Sequence, residues 1–172
     1  TTEIGQPLEI IGFDACLMSA FEVAYEIADY GKLMIGSEIT EPAFGWDYST
    51  LGDLREFPYL ESGELAERFM IDYLGQMGRV GSKTSMSMGV YDLAVMDGIA
   101  SSLNDLSNTI ADSGSVEMYN MKIARQYAQP IQEGHSSDAV DLYDFIENIK
   151  QFTETSSIME KSDSVLEKIR RA

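Results

Sequence analysis

An apolar run, a helical repeat and a second apolar run follow one another within the first 37 residues, and no other feature constrains the fold as tightly. Residues 8–14, Leu-Glu-Ile-Ile-Gly-Phe-Asp, are short, apolar and closed by an acid, which reads as a buried strand. Residues 19–30 then place apolar side chains at helical spacing, with Ser19 as the expected N-cap and Glu22, three residues on, completing a capping box. Gly31 ends that helix, and residues 32–37 read as a second buried strand. Strand, helix and strand within about 30 residues make a βαβ unit, which commits the chain to a parallel sheet with a right-handed crossover.

The remainder is mostly helical. A loop over residues 38–48, rich in acids, aromatics and turn residues, leads into a short helix over 48–55 that stops before Pro58. Ser62 and Gly63 introduce a helix over 64–77, closed by Gly78 and Gly81. Residues 84–92 alternate small polar with apolar side chains and predict a third strand, and helices fit 94–111, 116–128, 142–152 and 158–170. The connection 129–138, with Pro130, Gly134 and His135, reads as a surface loop. Three strands are few for a complete parallel sheet, and the first begins close to residue 1. The expectation is therefore an incomplete α/β domain over residues 1–172, with part of its sheet supplied from elsewhere.

Composition narrows the function. A net charge of −17 argues against binding a phosphate backbone, which requires clustered Lys and Arg. It favours the approach of basic peptides, although an acidic surface also serves solubility alone. No apolar stretch reaches the 18 residues of a membrane-spanning helix. One Cys excludes an internal disulfide and leaves the redox compartment open, and one Cys with one His cannot build a zinc site from those residue types alone.

Sites in open α/β sheets form beyond the carboxyl ends of the strands. Asp14-Ala15-Cys16 lies at such an edge, where a thiolate would face the amino end of the following helix and gain from its partial positive charge. The alternative is that Cys16 is a small buried hydrophobe, as most lone cysteines are. Position by itself leaves both open.

The segment Ile11-Gly-Phe-Asp-Ala-Cys-Leu-Met-Ser19, followed by Glu22-Val-Ala-Tyr-Glu26, resembles the cysteine motif of the clostripain family of peptidases. Ser37-Glu-Ile-Thr-Glu-Pro42 with Gly45-Trp-Asp-Tyr48 is similar to that family's acidic-aromatic loop, and Asp141-Leu-Tyr-Asp-Phe145 to a late helical motif. The resemblance implies a caspase-like, mostly parallel α/β fold flanked by helices, a Cys-His dyad, and cleavage of proteins after Arg or Lys. By position it makes Cys16 the nucleophile that forms a thioester. Asp14 becomes the floor of the specificity pocket, where a carboxylate can pair with a guanidinium through two parallel hydrogen bonds. The alternative for Asp14 is a strand-end acid capping the next turn. Glu38, Glu41, Trp46 and Asp47 are expected either to wall the substrate cleft or simply to pack the loop.

The family's catalytic His lies upstream of the cysteine, in a His-Gly motif that also brings a backbone N–H for the oxyanion. Here only 15 residues precede Cys16 and none is His. The resemblance therefore implies a heavy-chain-like piece that works with its own upstream, light-chain segment after self-processing. It also implies that a later Gly-Leu-Ser-Ile-Tyr-type strand follows. His135, in a Glu-Gly-His-Ser-Ser loop, is the rival base, but nothing in its spacing brings it within hydrogen-bond reach of Cys16, and a surface role is expected. The resemblance further admits calcium, for which the acidic loop offers hard oxygen ligands without an EF-hand. It also implies secretion or residence in the bacterial cell envelope. Two competing readings remain at this stage: a non-catalytic binding or scaffold module on the same fold, and a flavodoxin-like ligand-binding domain. The second lacks a Gly-rich phosphate loop after its first strand.

Overall fold

The computed structural model describes residues 5–76, 86–131 and 139–172, in two compact units, Thr1–Ala94 and Val95–Ala172. The first unit carries a three-stranded sheet in the order β1 (Leu8–Gly12), β2 (Gly31–Gly36), β3 (Gly89–Asp92). As the βαβ pattern requires, β1 and β2 run parallel, in register from Leu8 opposite Gly31 to Gly12 opposite Ile35, with α1 (Phe21–Ile27) between them. The central strand is the most deeply covered, and Met34, Ile35 and the following Ser37 are all buried.

Two expectations are corrected. The third strand is shorter than residues 84–92 and pairs antiparallel with β2, from Gly36 opposite Gly89 to Leu33 opposite Asp92. The connection after β2 returns the chain to the carboxyl end of that strand, so β3 has to run back along it. Alternation along a strand reports which face is buried and says nothing of its direction. Nor is Ser19 an N-cap: the helix starts at Phe21 after Ala20 and has no side-chain cap. The Ser19 N–H is spent on the Ser37 carbonyl at 3.0 Å, and its hydroxyl is buried against Gly36, where a Cβ would stand only 3.1 Å away. A tertiary contact has overridden a local capping signal.

After β2 come a 3₁₀ turn (Tyr48–Gly52), α2 (Asp53–Glu56) and α3 (Ser62–Gly75). The start of α3 is a capping box, Glu61 with Glu64, one residue before the predicted Ser62. Leu65, Ala66, Phe69 and Tyr73 recur at helical spacing and bury that face of α3 in one cluster with Ile35 and Trp46. Gly78, Gly81 and His135, with the reading attached to each, lie outside the described residues.

Among the described residues the second unit carries four helices: α4 (Met96–Asp112), α5 (Ser115–Tyr127), α6 (Leu142–Phe152) and α7 (Ser156–Ile169). Leu106, Ile110, Ala124, Ile146, Ile149, Ile158, Val165 and Leu166 form its core. Asp141 caps α6 by accepting the Asp144 N–H at 2.6 Å, which gives the late Asp-Leu-Tyr-Asp-Phe motif a structural task. Among the described residues no helix is long and apolar enough to cross a membrane.

One buried acid ties this unit together. The Glu117 carboxylate accepts from Thr155 at 2.6 Å, Thr153 at 3.0 Å and Asn120 at 3.2 Å. These bonds, that of Thr155 first, hold its pKa below the ordinary glutamate value. A depressed acid contributes stability above its unfolded pKa and loses it as pH falls through the folded one. Glu117→Gln is therefore expected to cost about 1–3 kcal/mol at neutral pH by chemical denaturation. The difference from the parent protein should shrink once the pH is taken below the carboxylate range.

Candidate active site

The parallel pair β1–β2 delivers two chain segments to the same edge of the sheet. Beyond the strand ends the segments stay stitched together: the Phe13 N–H donates to the Ile35 carbonyl at 2.9 Å, Ser19 to Ser37 at 3.0 Å, and Leu17 to Ile39 at 3.2 Å. Cys16 sits in the turn that these bonds hold. Its neighbour Leu17 is the non-glycine residue with positive φ, 62°, among the described residues. Left-handed backbone at a leucine costs roughly 1–3 kcal/mol and persists only where the surroundings enforce it. The thiol is exposed rather than packed as a small hydrophobe, and its Sγ accepts the Glu41 backbone N–H at 3.2 Å.

The facing segment is itself pinned. Ser37 is fully buried; its Oγ donates to the Ile39 carbonyl at 3.0 Å and lies 3.1 Å from the Ser87 hydroxyl, which also accepts the Glu38 N–H at 3.1 Å. These contacts fix the carbonyls of residues 37 and 39, to which the cysteine turn is bonded on either side of Cys16. Ser37 entered the sequence reading only as the first residue of a motif and Ser87 not at all, because the partnership spans 50 positions and has no local signature.

Of the residues expected at the site, Asp14, Cys16, Glu41 and Trp46 come together. Asp14 Oδ2 accepts the Trp46 backbone N–H at 3.3 Å and the Tyr48 hydroxyl at 2.8 Å, both from the facing loop and not from its own turn. Gly45, at φ +67°, allows this approach: a Cβ there would stand 2.8 Å from Oδ2. The Trp46 indole N–H donates to Glu41 Oε1 at 3.2 Å, while its ring lies over Gly12, where a Cβ would sit 2.9 Å away, and against Phe69 at 5.8 Å. Glu41 is partly buried and close to Asp14. Desolvation first, and the neighbouring Asp14 charge in addition, push its carboxyl above the ordinary range, against the opposing Trp46 bond.

The other two expected residues are placed differently. Asp47 caps the 3₁₀ turn, its Oδ1 accepting the Ser49 N–H at 3.0 Å and the Ser49 hydroxyl at 2.6 Å. Glu38 is held through its backbone by Ser87. Two residues that sequence reasoning did not single out join the site. Tyr48 belongs to the Gly-Trp-Asp-Tyr motif and was legible there. Tyr73 comes from the buried face of α3, is 0% exposed, and its hydroxyl has no partner among the described residues. Burial first, then the charges of Glu41, Asp14 and Cys16, push its pKa up to about 12, so it is a neutral phenol at any working pH.

Among the described residues no three His, Cys, Asp or Glu side chains gather to hold a metal ion.

The sequence profile of the clostripain family matches residues 2–169. Among solved structures, the chain is similar to a clostripain from Bacteroides thetaiotaomicron in complex with a peptide inhibitor, at a TM-score of 0.71 and 19% identity, covering 99% of this chain and 67% of that one. It is also similar to an inactive protease zymogen from Parabacteroides distasonis, at 0.70 and 18%, covering 98% and 43%. A secreted cysteine protease from Bacteroides thetaiotaomicron aligns at 0.67 and 19%, covering 99% and 43%. The chain thus spans about two thirds of the first relative and less than half of the other two. No curated protein matches it. These likenesses show a shared fold, and with the profile spanning nearly the whole sequence, the chain belongs to the clostripain family.

Proposed function

We propose that this chain is the cysteine-bearing part of an endopeptidase that cleaves protein substrates after Arg or Lys. The observation that carries the reading is the exposed Cys16 sulfur held beside the loop that brings Glu41 to Asp14. In this account the Cys16 thiolate attacks the scissile carbonyl carbon, the C–N bond breaks, and a thioester forms while the leaving amine takes a proton. Water then attacks the thioester, releases the new carboxyl end and returns the thiol. The base that first takes the thiol proton and passes it to the leaving amine is a His from an upstream segment, which also supplies an oxyanion N–H. Among the described residues β1 is an edge strand with half-exposed faces, and this edge, with an open groove lined by Phe13, Met18, Glu22, Val23, Glu26 and Ile27, supports the docking of such a segment.

Asp14 and Glu41 receive the basic side chain, with Trp46 bracing both acids. Asp47 and Glu38 border the cleft as supports. Protein or peptide substrates fit the strongly acidic chain, and secretion or a place in the bacterial envelope agrees with the secreted relative.

A Cys16→Ala protein carrying its upstream segment should keep its circular dichroism spectrum and lose essentially all turnover of an Arg or Lys peptide. Retained turnover would remove Cys16 from the mechanism and favour the binding-module reading. Asp14→Asn keeps the side-chain shape and removes the charge. Because a charge-assisted bond contributes roughly 1.5–3 kcal/mol, kcat/KM on basic peptides should fall about tenfold to more than a hundredfold. Peptides with an uncharged residue at the cleavage position should lose much less, and an equal fall for both types would make Asp14 a purely structural acid.

A further inference from the structure

A short segment of the first unit turns its apolar side chains outward and its polar ones inward. The 3₁₀ turn (Tyr48–Gly52) passes into α2 (Asp53–Glu56) without a break, since Gly52 and Asp53 both have right-handed helical backbone. Tyr48, Leu51 and Leu54 follow one another at intervals of three, the spacing that stacks side chains along one face of a 3₁₀ helix. They are 55%, 47% and 38% exposed. Thr50 and Asp53, also three apart, form the stripe turned toward α3. Thr50 is buried and its hydroxyl donates to Asp72 Oδ2 at 2.7 Å, while Asp53 pairs with Arg68, one helical turn before Asp72. Single surface leucines are ordinary, but anchoring by polar groups with the apolar face left to solvent reverses the pattern of a surface helix. A contiguous apolar face of this kind is a contact surface.

The ridge begins at the candidate active site. The Tyr48 hydroxyl donates to Asp14 Oδ2 at 2.8 Å, and the exposed Phe44 precedes the Gly45 against which Asp14 packs. We propose that Tyr48, Leu51 and Leu54 form a docking ridge for apolar side chains of the protein substrate, carried within the few residues before its basic residue. The proposal rests on the reading of Asp14 as an acid that receives that basic side chain. The scissile carbonyl sits at Cys16, so the half of the substrate that ends in the basic residue lies on the Asp14 side, where Tyr48 stands. From Tyr48 to Leu54 the ridge rises about 11 Å, at about 2.0 Å per residue in the 3₁₀ turn and about 1.5 Å in the helix. An extended peptide spans that length in about three or four residues. Because the polar bonds to α3 hold the ridge in place beforehand, docking requires little ordering of the protein.

The test measures kcat and KM on lysine peptides of one length, using the protein with its upstream segment. One series carries leucine or serine in turn at each of about four positions before the lysine, and a second series at each of as many positions after it. Leucine at one or more of the preceding positions should raise kcat/KM about threefold to tenfold over serine, mainly through KM, as partial burial of one leucine side chain would. Leu51→Ser and Leu54→Ser should each move that leucine-to-serine ratio toward one, and Leu51→Met should keep most of it. Val116→Ser, at a still more exposed apolar position in the second unit, should leave the ratio unchanged. A parent ratio near one at every preceding position, or a ratio that both serine variants leave unmoved, would overturn the proposal. So would a gain confined to positions after the lysine, or sedimentation showing a dimer of the chain that the serine variants dissolve. In each of those cases a lysine peptide cleaved faster than its norleucine counterpart would leave basic specificity standing. Norleucine cleaved as well as lysine would instead defeat the reading of Asp14, and this proposal with it.

Discussion

Parallel pairing of β1 with β2 continues, in irregular form, past the ends of both strands, and the geometry of the cysteine turn depends on that continuation. Three backbone bonds join residues 13, 17 and 19 to residues 35, 39 and 37. They set Cys16 in a turn that a free peptide would not favour, because Leu17 is left-handed. They also fix where the next loop starts, so that Glu41 can reach back with its N–H to the Cys16 sulfur. Ser37 and Ser87 stiffen the receiving side, drawing the approach to β3 into the same network. The antiparallel β3 thus extends the sheet and at the same time braces the segment opposite the cysteine.

Trp46 performs the corresponding task for the acids. Its ring is clamped between Gly12 and Phe69, which leaves it little freedom, and its two N–H groups then locate Asp14 and Glu41. The arrangement places two carboxylates close together. Glu41 responds as expected of a partly buried acid beside another acid, with its proton held more tightly than usual. A basic side chain would relieve that repulsion, which gives the proposed pocket a reason to bind one.

Much of this was legible in the sequence, and for identifiable reasons. The βαβ unit declared itself because an apolar run, a helical repeat and a second apolar run in so short a stretch have few other solutions. The helix of residues 142–152 was found to the residue, since Asp141 is a strong N-cap ahead of a well-separated apolar face. The direction of β3 was hidden, because strand pairing depends on where the chain returns and not on its side-chain pattern. The Ser19 cap misled for a related reason: a backbone bond to residue 37 outbid a local signal. Asp14, Cys16, Glu41 and Trp46 were named from motif resemblance, and the structure brings them together. Tyr73 was visible only as one apolar position in a helical repeat. That its hydroxyl would be left buried without a partner among the described residues required the fold.

The central claim of the proposed function is that Cys16 is the nucleophile and adjoins a pocket for a basic side chain. It is tested most directly by treating the protein, with its upstream segment, with acyloxymethyl ketone peptides ending in lysine, arginine or norleucine, and mapping the adduct by mass spectrometry. The account predicts a covalent adduct on Cys16 that forms much faster with the basic peptides than with norleucine. Equal labelling by all three peptides, or an adduct on any other residue, would contradict it.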